Sequence, residues 1–133
     1  MSRLFLMRKV VLMSGLLTVL VAVVAAEHIF IMALEMFGIP SKMAARAFGL
    51  SQEQMQRQDI RTLFANQGLY NGFLAAGLIW SLLAPEPLAR PLQLFFLACV
   101  LVAAIYGAIT SNKAILFKQG APAALALLVW FLQ

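Results

Sequence analysis

Glu27 and His28 are adjacent inside an apolar stretch, and Glu35 follows two helical turns later. A second apolar stretch opens with Asn66, Gln67, Tyr70 and Asn71, and a third polar position is Gln119. A carboxylate withdrawn from water is a candidate general acid or base, and proton transfer by one positioned group is worth typically ~10²–10⁴-fold in rate. His28 changes charge near neutral pH and can relay a proton. Side-chain amides orient polar groups but offer no nucleophile. The expected catalytic set is therefore Glu27, His28 and Glu35, with Asn66, Gln67, Tyr70, Asn71 and Gln119 as ligand-binding residues. Each has a plainer reading. Glu27 can be a protonated carboxyl bonded to Asn66 or Gln67, holding helices together. His28 can be a neutral buried imidazole, and Glu35 an interfacial anchor or the ion-pair partner of a loop arginine. Tyr70 and Tyr106 are more often packing or belt residues than acids.

Other chemistries find little footing. Adjacent residues on a helix point about 100° apart, and His28 to Glu35 spans two turns, about 10.5 Å. Neither Glu27–His28 nor His28–Glu35 can chelate one ion unaided, and His28 is the sole histidine. No metal and no cofactor is expected. No phosphate-cradling glycine loop, serine elbow or zinc spacing occurs. Cys99 is the single cysteine and can form no internal disulfide.

The elements that must carry these groups follow from composition. Of 133 residues, 63% are hydrophobic and 11% charged, with a mean hydropathy of +0.92. A soluble domain has about a quarter of its residues charged, and one this short cannot hide so much apolar surface. The net charge of +5 comes from ten basic residues set at the ends of apolar stretches. There they face lipid head groups, so nucleic acid is not an expected partner. The expectation is an all-α integral membrane protein: a single domain over 1–133, built as a four-transmembrane-helix bundle. Its spans cover about 10–37, 60–83, 91–109 and 114–132, with a short amphipathic interfacial helix in the 41–59 segment between spans one and two. A signal peptide ending at Val24-Ala25-Ala26 is the competing reading of the first stretch, but the apolar pattern runs past that point. Ser51-Gln52-Glu53-Gln54 reads as a capping box from which a helix should run into the second span. Ala84-Pro85-Glu86-Pro87 ends that span, and Pro91 suits the first turn of the third.

With four spans, Glu27, His28, Glu35, Asn66, Gln67, Tyr70, Asn71, Thr110, Ser111, Asn112, Lys118 and Gln119 gather in one leaflet. On the first helix, Glu27, His28, Ile31 and Glu35 fall within about 100°; on the second, Asn66, Gln67, Tyr70, Asn71 and Leu74 span about 140°. Gly68, Gly72 and Ala76 form a small-residue stripe on the other side. The expectation is a polar pocket open toward the 41–59 side.

The same residues carry a resemblance. The run Glu27-His28-Ile29-Phe30-Ile31-Met32-Ala33-Leu34-Glu35-Met36-Phe37, then Phe48-Gly49-Leu50-Ser51, then Ala65 to Ala75, with Tyr106-Gly107 and Gln119-Gly120-x-Pro122-Ala123, resembles a family of small bacterial and fungal membrane proteins. That family is catalogued as a domain of unknown function (family 1304). Lys118 departs from it, standing where an apolar residue is expected. The resemblance implies a four-span fold, a multi-pass protein of the bacterial inner (cell) membrane, and no particular activity.

Three functions are consistent with this reading. The first is a protein that binds or chemically transforms a lipophilic small molecule entering from the bilayer, with Glu27 moving a proton. The second is a proton-coupled exporter acting as a homodimer, for which the Gly68–Ala76 stripe offers an interface. The third is a scaffold or accessory subunit whose polar residues only fasten helices. Membrane lipid is a partner in all three.

Overall fold

A computed structural model describes residues 1–133. It is helical with no strand: α1 (Arg3–Phe37), α2 (Lys42–Phe48), α3 (Gln52–Gln56), α4 (Gln58–Leu83), α5 (Ala89–Thr110), a π-helical turn over Leu116–Gly120, and α6 (Ala121–Phe131). The chain divides into two compact units, one of Ala26–Ala75 and one of Met1–Ala25 with Ala76–Gln133.

In the Ala26–Ala75 unit, the end of α1 and the start of α4 are joined by two short helices where a single interfacial helix was expected. Ser41 caps α2 by accepting from the Ala44 amide at 3.0 Å, and Gly49 closes it in the left-handed region at φ 65°. A side chain at Gly49 would be strained, so glycine is the natural terminator. Ser51 and Gln54 make the expected capping box, with the Gln54 amide donating to Ser51 Oγ and the Ser51 amide to Gln54 Oε1. The helix it starts does not run into the second span, however. It stops at Gln56 because Arg57 is extended (ψ 127°). Helix ends leave carbonyls without amide partners. Arg61, one turn into α4, takes one of these by donating from Nε to the Met55 carbonyl at 2.7 Å, and also bonds Gln56 Oε1 at 3.0 Å. Met55 and Ala44 are buried, and Phe48 meets Phe64 with ring centroids 5.0 Å apart.

In the other unit, α5 packs against α6 and the π turn. A Cβ on Gly120 would lie 3.2 Å from Ala104 Cβ, so the backbones approach closely there. Pro122 has no amide hydrogen and leaves the Lys118 carbonyl without its usual helical donor; the π turn sits directly before it. Lys118 is exposed and Gln119 half-buried within this turn. The start of α5 is tied to the end of α6 by a reciprocal pair. Arg90 donates to the Trp130 carbonyl at 2.8 Å, Trp130 Nε1 donates to the Arg90 carbonyl at 3.0 Å, and the guanidinium lies 4.3 Å from the indole centroid.

Of the four expected spans, two helices, α1 and α5, are long and apolar enough to cross a membrane. α4, at 26 residues, extends about 39 Å and has the length, but Asn66, Gln67 and Asn71 dilute its apolar run. Leu116–Phe131 is apolar but shorter.

Candidate functional site

The candidate residues of α1 and α4 lie in the Ala26–Ala75 unit. On α1, His28 and Glu35 are seven residues apart and so share a face, and both are buried, 1% and 3% exposed. Opposite stands the α4 face made of Gly68, Asn71, Gly72 and Ala75, spaced i, i+3, i+4, i+7. Its small residues are what let the two backbones meet. A Cβ added at Gly68 would lie 2.8 Å from Met36 Cγ, 3.0 Å from Glu35 Cβ and 3.1 Å from the Met32 carbonyl oxygen, and one at Gly72 would lie 2.5 Å from Met32 Sδ. The small-residue stripe is thus occupied by α1 of the same chain. Met32 and Met36, to which the sequence alone assigns no role in the site, are the groups that fill it.

Within this contact Asn71 Nδ2 donates to Glu35 Oε2 at 3.1 Å. A second, longer bond of 3.4 Å runs from the same nitrogen to the Gln67 carbonyl one turn back. The first bond holds Glu35 by an amide across the helix pair, which is the geometry of a helix fastener.

Glu27 is one position round the helix from His28 and only partly exposed. Its Oε1 is buried and has no hydrogen-bond partner. Asn66, Gln67 and Tyr70 do not join Glu35 and Asn71. They are exposed on α4 outside that contact, where Tyr70 makes an edge contact with Phe73 at 5.8 Å. Gln119 belongs to the other unit. The structure therefore brings Glu35 and Asn71 together, keeps His28 on the same buried face of α1 as Glu35, and turns the remaining α4 polar groups outward.

Residues 22–131 match the model of a family described as a protein of unknown function (DUF1304). The chain belongs to that family. The matched region contains every candidate residue from Glu27 to Gln119. A protein of Lactococcus lactis, described as Uncharacterized protein YpaA, is 40% identical over 119 residues, which is 90% of this chain and 99% of the relative. No solved structure matches.

Proposed function

We propose that the protein is a multi-pass integral protein of the bacterial cell membrane that binds a lipophilic molecule bearing a hydrogen-bond donor, with Glu27 as the acceptor. In this reading α1, α4, α5 and the helix from Ala114 to Phe131 all cross the bilayer. Exposed apolar side chains support a lipid environment. Both long apolar helices are mostly uncovered, with Val102 65% and Ile109 78% exposed on α5. A core helix of a soluble protein would be largely buried instead. Contiguous apolar surface of that kind marks contact with lipid or a partner.

The observation that carries the binding reading is the lone Glu27 Oε1. Buried oxygens are nearly always bonded, and an unmet one costs about 1–3 kcal/mol. A hydroxyl or amine on a bound lipophile would meet it, and His28 beside it would relay a proton. The same chemistry extends to proton-transfer turnover of that molecule, such as an isomerisation.

One observation favours the fastener reading for Glu35: its carboxylate is bonded directly to Asn71. Glu27 is accordingly the residue of choice for chemistry and Glu35 for positioning. The exporter reading loses its expected interface, since α1 occupies Gly68 and Gly72.

Native mass spectrometry of the protein released from its own membrane tests the proposal. Wild type should carry a small adduct of defined mass. Glu27→Leu, which removes the acceptor, should lose it; Glu27→Gln should retain part of it while abolishing any turnover. An identical adduct on Glu27→Leu, or bare protein in every sample, overturns the assignment.

A further inference from the structure

We propose that the outward face of α4 is a self-association surface, on which a second copy of this chain docks α4 against α4 about a two-fold axis along the membrane normal. This inference concerns a different face from the Glu27 site and does not depend on that reading beyond the membrane setting.

Three observations carry it. Asn66, Gln67 and Tyr70 are exposed, and none of their side chains takes part in a hydrogen bond within the chain. In a helix that crosses a bilayer, such groups face hydrocarbon, where water cannot satisfy them, and intramembrane polar side chains turn instead toward protein. Second, the face has the spacing of a helix seam. The exposed Leu63, Gln67 and Tyr70 and the half-buried Leu74 recur at steps of four, three and four, the pattern by which helices interlock at a shallow angle. Third, the opposite face of α4 is already filled: Gly68 and Gly72 lie against Met32, Glu35 and Met36 of the same chain. The seam lies outside that contact and is open to another helix.

The chemistry selects a second copy as the occupant. A two-fold axis along the membrane normal places each residue beside its own counterpart at equal depth. A carboxylate or an ammonium would meet its like and repel. A side-chain amide has both a donor and an acceptor, so Gln67 can bond Gln67 of the partner subunit reciprocally, and Asn66 does the same at the rim of the seam. Leu63 and Leu74 flank the amides with apolar contact, and Tyr70 adds a ring whose hydroxyl can reach across. Amide-bearing helices associate through such bonds in membranes.

Disulfide trapping in native membranes tests this, because Cys99 is the single cysteine and can be removed. In a Cys99→Ala background, Gln67→Cys should give a dimer on mild oxidation, and Val102→Cys, exposed on α5, should not. In parallel, Asn66→Leu with Gln67→Leu should weaken self-association in lipid nanodiscs by about ten-fold or more. Both positions are exposed, so the leucines leave the packed face of α4 intact; retained helicity by circular dichroism checks this. Trapping at Val102 but not at Gln67, a Gln67→Cys adduct to a different protein, or a wild type that stays monomeric at every lipid ratio overturns the proposal. So does an unweakened dimer in the double leucine variant.

Discussion

Asn71 reaches across 36 residues of sequence to donate its amide hydrogen to Glu35 Oε2 at 3.1 Å. The bond joins α1 to α4 at the level where Gly68 and Gly72 let the helices touch. Removing the donor while leaving the acceptor buried should be more harmful than altering the acceptor. Asn71→Leu is therefore expected to lower stability by about 0.6–1.7 kcal/mol, the range seen for interhelical bonds in membranes. Glu35→Gln retains an acceptor oxygen and should lose less. Equilibrium unfolding in mixed micelles measures both, and a double-variant cycle isolates the coupling. Equal losses for Asn71→Leu and Glu35→Gln, with no coupling, would show that the bond holds nothing.

The two glycines beneath that bond should not respond alike to alanine. At Gly68 the added methyl meets the Met32 carbonyl oxygen and Glu35 Cβ as well as Met36, and backbone cannot step aside. At Gly72 the nearest atom is Met32 Sδ, the mobile part of a flexible thioether. Alanine favours a helix over glycine by about 0.8–1.0 kcal/mol, whereas overpacking costs about 1–3 kcal/mol. Gly68→Ala should come out destabilising, and Gly72→Ala near neutral or slightly stabilising. Thermal unfolding of the two purified variants gives the comparison, and a reversed order would contradict the packing.

Helix periodicity placed Asn66, Gln67, Tyr70 and Asn71 on one arc of α4, and the arc is real. What periodicity cannot say is which side of a helix faces its neighbour when both sides have a distinctive composition. Asn71 lies at the arc's edge, within reach of the small-residue face, so it alone turns toward Glu35. The other three stay on the outward side. The capping box at Ser51 was legible because it is a local bond pattern between residues three apart. The stop at Gln56 was not, since it rests on an extended Arg57 and on Arg61 reaching back six residues to the Met55 carbonyl. The family resemblance was legible in the Glu27–Phe37 and Ala65–Ala75 runs, and the match over residues 22–131 includes both. Span count was the hardest part. The polar residues that make α4 interesting are the same ones that dilute its apolar run.

Asp59, in the first turn of α4 and ahead of the expected 60–83 span, accepts two bonds from the Arg57 guanidinium, at 3.1 and 2.6 Å. The bonds to Arg57 hold its carboxyl below the ordinary value of 3.8, and the Ile60 amide adds to the effect. The sign is fixed by linkage. A depressed carboxyl contributes stability above its unfolded value, and the contribution fades as pH falls through the folded one. Both side chains are well exposed, so salt and water reduce its worth. NMR titration of the Asp59 carboxyl should show a midpoint below 3.8 that rises in Arg57→Ala. An unmoved midpoint would mean the pair does not persist in solution.

Arg90 and Trp130 should prove the strongest single tie in the unit that contains α5 and α6. The Trp130 carbonyl stands in the last turn of α6, where carbonyls lack amide partners and a cation is favoured. Arg90 supplies both a donor and a charge there, stacks on the indole at 4.3 Å, and receives the indole N–H on its own carbonyl. A bond from a charged group is worth about 1.5–3 kcal/mol, and the stacking about 0.5–1 kcal/mol more at a partly exposed site. Arg90→Ala should lose most of that. Arg90→Lys is the sharper test. Lysine retains the charge but lacks the planar fork that bonds the carbonyl while lying over the ring, so it should recover less than half. Tryptophan fluorescence in a Trp80→Phe background reports the outcome, because freeing the Trp130 ring changes its emission together with the unfolding midpoint. Full recovery by lysine would reduce the contact to simple charge attraction and remove the stacking from the account.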